Sequence, residues 1–143
     1  MAQINFFYED TAFELSHKEI ISSWISHTII SENHELSEIN YIFCSDEYLH
    51  QINVDYLQHD YYTDIITFDN SEEEGTVESD IFVSIERVQD NAQDQGIPFE
   101  QELRRVIIHG VLHLVGYNDK TEAEQTLMRE KENAYLSLPQ FQS

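Results

Sequence analysis

His109 and His113 stand four residues apart in the stretch HGVLHLVGYND, residues 109–119. Ile107, Ile108, Val111, Leu112 and Leu114 surround them in a helical pattern, which puts both imidazoles on one helix face about 5–6 Å apart. Two imidazoles at that separation can chelate one metal ion, because each bond is only about 2.0–2.1 Å long. Gly116 then ends the helix and lets the chain reverse, which carries Asp119 back as a third donor. Two nitrogens and one carboxylate oxygen leave a position for water, as a catalytic centre requires and a closed structural site does not. The competing reading is a helix with two ordinary histidines, yet imidazoles buried on an apolar face cost free energy unless something pairs with them.

A two-histidine helix also suits a metallopeptidase, in which the residue after the first His is a Glu that activates water. Here that residue is Gly110, which has no side chain, so a peptidase must find its base elsewhere. Two His and one carboxylate also suit a non-haem iron oxygenase, but those ligands usually sit on strands of a barrel.

The elements that must position these donors follow from pattern and punctuation. Ile4 to Tyr8 is rich in aromatic and β-branched residues and predicts a strand. Ser16 and Glu19 make a capping box ahead of a helix carrying Ile20, Ile21, Trp24, Ile25, Thr28 and Ile29. Ile39, Tyr41 and Phe43 alternate as a strand, and Ser45 then caps a helix from Asp46 towards Leu57 whose apolar positions are Leu49, Ile52, Val54 and Tyr56. Asp64 to Phe68 and Asp80 to Ile85 are two further strands, joined by the acidic loop at Ser71 to Gly75. Glu86 to Gln95 is a short helix ending at Gly96; Pro98 opens the helix that runs to Val115. Thr121 and Glu124 form a second capping box, and the tail after Pro139 is expected to fray. With four Gly and two Pro there is no linker, so residues 1–143 read as a single domain of α+β class, a small mixed β-sheet packed against several helices.

Composition limits the partners. Hydrophobic residues make up 41% of the 143, enough for a core, and the single Cys44 excludes an internal disulfide or a cysteine-rich metal knuckle. No apolar run approaches the ~20 residues that span a membrane, and the opening MAQINFFYED is not a signal peptide, so the expectation is a soluble cytoplasmic protein. Seven basic against 28 acidic residues give a net charge of −21, which repels nucleic acid at long range and favours basic partners. Five of the seven basic residues, Arg104, Arg105, Lys120, Arg129 and Lys131, nevertheless gather in one late segment. Trp24, Tyr41, Phe43, Phe68 and Phe82 read as core rather than as a base-stacking platform, and Asp69 as turn chemistry.

The metal motif resembles the H-G-x-L-H-L-x-G-Y-D-H signature of the YbeY-type bacterial endoribonucleases. Asn53 to Tyr56 followed by Thr63-Asp64-Ile65-Ile66-Thr67-Phe68, and then Ser79 to Ser84, are similar to that family's upstream segments, so the likeness covers most of residues 36–136. The resemblance implies a metal-dependent endoribonuclease that takes part in ribosomal RNA maturation and ribosome quality control, with Zn²⁺ on His109, His113 and Asp119. Its partners are then a ribosomal RNA precursor and, alongside it, ribosomal proteins. Two positions depart from the family pattern. Asp119 stands where the family has its third His, which makes the site harder and puts the metal's identity in question. Leu57 stands where the family carries an arginine held important for cleavage, and a leucine cannot clamp a phosphate.

Arg105 offers a replacement. It lies four residues before His109, so Arg105, His109 and His113 form one helical stripe, and a guanidinium there can hold a phosphodiester oxygen as a catalytic group. The plainer alternative is a salt bridge to Glu102 or another carboxylate; His59 and Lys120 are lesser candidates for phosphate. The competing functional class is an acidic, non-catalytic ribosome-assembly adaptor with a structural metal, favoured by the net charge and by Leu57.

Overall fold

The computed structural model describes residues 3–141. Its order is β1 (Gln3–Glu9), α1 (Lys18–Ser31), β2 (Glu35–Cys44), α2 (Asp46–Leu57), β3 (Ile65–Asp69), β4 (Thr76–Ser84), α3 (Ile85–Gln95), α4 (Phe99–Leu114), α5 (Glu122–Leu136) and a 3₁₀ turn at Pro139–Phe141. The four strands form one sheet in the order β1-β2-β4-β3. β1, β2 and β4 run parallel, and β3 returns antiparallel on β4 across the acidic loop. The expected α+β class with a small mixed sheet is therefore the observed one.

Alternation along the strands gives the sheet two unlike faces. Ile39, Tyr41 and Phe43 of β2, with Ile81 and Val83 of β4, point to the face that α1 and α4 cover. Trp24 and Ile25 of α1 and Ile107, Ile108, Val111 and Leu112 of α4 complete that core. Burial is not the only tie, since Tyr41 donates its hydroxyl to the Ile107 carbonyl at 3.3 Å. On the opposite face an apolar cluster forms beneath α2, where Leu49 meets Cys44 and Ile66. Elsewhere that face carries a polar ladder in which Asn5 donates to Asn40 and both Asn40 and Asn70 donate to Asp80.

Local signals account for most boundaries. Ser45 accepts from the Tyr48 N–H and starts α2, and Ser84 does the same for α3 through Arg87. Thr121 and Glu124 form the reciprocal capping box that opens α5. Asp69 accepts from the Ser71 backbone and hydroxyl, the turn chemistry expected of it.

Three expectations are corrected. The Ser16 capping box does not form: α1 begins after His17, which adopts a left-handed conformation at φ 59° and makes no side-chain cap. The tail is docked rather than frayed as far as Phe141, whose carbonyl accepts from Arg104 at 2.8 Å, and residues 142–143 lie outside the described residues. Tyr56, read as an apolar position of α2, is 69% exposed, because Leu49 and Asn53 supply the buried side of that helix.

Candidate metal centre

α4 brings the two histidines to the sheet's edge by an unusually close approach. A Cβ on Gly110 would stand 2.9 Å from Ile65 Cδ1 and 3.3 Å from Thr67 Cγ2, so the helix rests on β3 more closely than a side chain there would allow without its neighbours shifting. That contact sets His109 against the mouth of a cleft of about 670 Å³ lined by Asp64, Ile65, Glu102, Arg105, His109, Asp119, Arg129 and Glu132, among others. The size is in the range that takes a nucleotide-sized ligand.

Gly116, at φ +111°, turns the chain in a conformation that a side chain resists, and the segment comes back over the end of α4. Tyr117 anchors this return. Its hydroxyl donates to Glu32 at 2.7 Å, and Glu32 also accepts from Tyr135 and from Lys131. Burial alone would raise the Glu32 pKa, but these three donors outweigh it and hold the carboxyl below its ordinary value. A depressed carboxyl contributes stability that is present above the unfolded pKa of about 4.3 and is lost as pH falls through the folded value. Glu32→Gln should therefore lower Tm near neutrality by about 3 °C, for roughly 1 kcal/mol, and flatten its fall below about pH 5. Thermal melts across that pH range check this; an unchanged acid limb would mean the cluster is not coupled to folding.

The return ends with Asp119 between the two rings. Its Oδ2 lies 3.3 Å from His109 Nε2 and 3.4 Å from His113 Nε2, and the three donor atoms fall within 4.8 Å of one another. Donors about 2.0–2.1 Å from one ion in a tetrahedron stand about 3.3–3.4 Å apart, so both measured edges fit a single metal. The rings meet edge to face with centroids 4.7 Å apart, so their lone pairs can converge without the rings clashing. Side-chain exposures of 24%, 30% and 39% for His109, His113 and Asp119 leave the point between them open to solvent on one side.

The other candidates fall differently. Arg105 lines the cleft, as the helical stripe requires, but its Nη1 is held 3.0 Å from Glu132 Oε1. The salt-bridge alternative thus exists, and its partner is Glu132 rather than Glu102. Leu57 ends α2 half-exposed. His59 stacks on Tyr61 in the following loop, outside the cleft lining, as is Lys120, whose N–H donates to Glu124.

Glu132 escaped the sequence reading, whereas Asp64, which flanks a strand and could line a cleft, does line it. Glu132 on α5 is 4% exposed and places Oε2 2.7 Å from His109 Nδ1. Burial would raise its pKa, but bonds from His109 and Arg105 prevail and keep it low. Burial would lower the His109 pKa, yet Glu132, Asp119 and Asp64 together raise it. Asp64 and Glu102 are raised by burial, so each holds a proton more readily than a surface carboxyl. Arg129, 55% exposed, is the more accessible cation of the cleft wall. One signal for Glu132 existed: it lies four residues after Met128, an acidic side chain on the buried stripe of its helix.

Fold and site together define an α+β protein with two histidines on a helix and one carboxylate on the return after it, open on one side and set beside a nucleotide-sized cleft. A family profile described as endoribonuclease YbeY matches residues 3–139, and the chain belongs to that family. Its curated relatives include the endoribonuclease YbeY of Cytophaga hutchinsonii, 56% identical over 138 residues, covering 96% of each chain. The Flavobacterium johnsoniae endoribonuclease YbeY is 52% identical, covering 94% of this chain and 96% of its own. Among solved structures, one from Thermotoga maritima superposes with a TM-score of 0.63 at 26% identity over 96% of both chains.

Proposed function

We propose that this chain is a metal-dependent endoribonuclease that cuts single-stranded RNA during ribosomal RNA maturation and ribosome quality control, working in the cytoplasm as one domain. The observation that carries the reading is the single Asp119 oxygen at 3.3 and 3.4 Å from the two histidine Nε2 atoms, in a chain of the YbeY family. His109, His113 and Asp119 would hold the ion; zinc, the metal that the resemblance implies, is among those that imidazoles suit. A divalent ion there would supply Lewis acidity, polarising a phosphoryl oxygen and lowering the pKa of bound water.

The chain's own residues supply the rest. Arg105 and Arg129 are the arginines of a cleft wall that also carries six carboxylates, and Arg129, the more exposed of the two, is the one free to meet a phosphodiester oxygen. In a chain of net charge −21, long-range attraction does not hold RNA, so uncharged contacts must contribute. Tyr56 at the end of α2 and Tyr61 in the loop that leads into Asp64 at the cleft are exposed by 69% and 55%, whereas Tyr62 is already stacked on His50 and covered by Arg87. Phenol faces there can stack on unpaired bases, each worth about 1–3 kcal/mol. Tyr61→Ala should weaken binding of a single-stranded RNA roughly 5- to 160-fold while Tyr61→Phe retains it, measured by fluorescence anisotropy; equal loss in both variants would exclude stacking.

The deciding experiment is cleavage of a labelled single-stranded RNA by the purified chain, after chelation and after zinc is restored. Loss on chelation and recovery with zinc support the reading. Cleavage indifferent to metal, or none after reconstitution, overturns it. Binding to basic ribosomal proteins without RNA cleavage would favour the adaptor, for which the acidic surface is the supporting observation.

A further inference from the structure

Glu132 lies 23 residues beyond His109, on a different helix, yet it is bonded to both members of the stripe that starts at Arg105. Its two carboxylate oxygens divide the work. Oε1 accepts from Arg105 Nη1 at 3.0 Å, with Arg129 Nη1 farther off at 3.8 Å, and Oε2 faces His109 Nδ1 at 2.7 Å. The side chain is 6% exposed, and Arg105 beside it 14%, so water competes little for either bond.

A carboxylate has only lone pairs to offer, so the ring nitrogen facing it must carry the hydrogen. With Nδ1 as donor, the neutral imidazole has its free lone pair on Nε2, the atom that lies 3.3 Å from Asp119 Oδ2. Arg105 in turn keeps the carboxylate from rotating and compensates its charge. A buried Arg–Glu pair is seldom a net source of stability compared with apolar groups, so stability alone does not account for placing one against a histidine.

We propose that Glu132, braced by Arg105, is the positioning residue of the metal centre: it fixes His109 in the tautomer and ring orientation that aim Nε2 at the point shared with His113 and Asp119. The inference rests on the reading of those three residues as metal ligands. It gives Arg105 a second route of action, through Glu132 and His109, in addition to any contact with phosphate. Carboxylates behind ligating histidines elsewhere change metal affinity about 10- to 100-fold when replaced.

Glu132→Gln separates this role from a packing role. Glutamine keeps the volume but offers one acceptor and one donor where glutamate offers two acceptors. With Arg105 taking the acceptor, the amide NH₂ faces Nδ1 and favours the tautomer whose proton sits on Nε2, the atom meant for the ion. Two readouts follow on the whole chain: zinc affinity by competition with a chromophoric chelator at one fixed pH, and the ring tautomers of the metal-free protein by ¹⁵N NMR at a pH where imidazoles are neutral. Glu132→Gln is expected to loosen zinc about 10- to 100-fold and to move the His109 proton from Nδ1 to Nε2. Zinc affinity within twofold of wild type, with the proton still on Nδ1, overturns the proposal. Should Glu132→Gln not fold, Arg105→Gln, which keeps a donor but no charge, is expected to weaken zinc at least threefold, and an unchanged affinity overturns it. A wild-type chain that takes up no zinc defeats the metal centre as well, whereas tight wild-type binding with parity in the variants defeats only the role of Glu132.

Discussion

His113→Ala and Asp119→Ala each leave two donors where three converge, and both variants should lose the bound ion and RNA cleavage together. Each metal–ligand bond contributes several kcal/mol to affinity, and each 1.36 kcal/mol withdrawn from the transition state is a factor of ten in rate. Cleavage should fall at least about 10³-fold, and elemental analysis should show less than a tenth of the wild-type metal content. The loss should be chemical and not structural. His113 and Asp119 are 30% and 39% exposed at the open side of the cleft, so the metal-free variants should melt within a few degrees of the metal-free wild type. Asp119→His supplies the control, since it offers a nitrogen where the family pattern has one. Retained metal in that variant, with loss in Asp119→Ala, would identify position 119 as a ligand rather than a spacer. Full metal content in Asp119→Ala would instead require a different third donor.

The parts of this centre that the sequence discloses are those held by a single helix and its return. His109 and His113 are one turn apart whatever the rest of the chain does, and Gly116 marks where the reversal must fall. The caps at Ser45 and Thr121 are similarly local and lie where the sequence places them. Glu132 is different in kind. It reaches His109 only because α5 packs on α4, and no spacing rule links residues 23 apart across a turn. The failed cap at Ser16 has a comparable cause: the chain enters α1 through a left-handed His17, which takes the N-cap position from the serine. Tyr56 fits a helical pattern, but exposure depends on whether anything lies opposite it, and the underside of α2 is filled by Leu49 and Asn53.

Gly110 shows how one position joins the fold to the exclusion of an alternative chemistry. A glutamate there would complete the H-E-x-x-H pattern of a metallopeptidase on paper. In the structure the Gly110 Cα faces Ile65, Thr67 and Ile81 on the sheet, so the side chain would point into the core and away from the ion's open side. Gly110→Ala meets only side-chain ends at 2.9, 3.3 and 3.6 Å, which can give way by a few tenths of an ångström. Overpacking of roughly 1–3 kcal/mol is then partly offset by about 1 kcal/mol of helix propensity, so a small net loss is expected. Gly110→Glu is far worse, because an unpaired carboxylate buried among apolar groups costs several kcal/mol beyond the overpacking. Against a total stability of about 5–15 kcal/mol, that variant should melt more than about 10 °C below wild type or fail to fold. Circular dichroism melts of the two variants decide it. A Gly110→Glu chain as stable as wild type would mean that α4 can lift from β3, and the same lift would carry His109 away from Asp64 and the cleft.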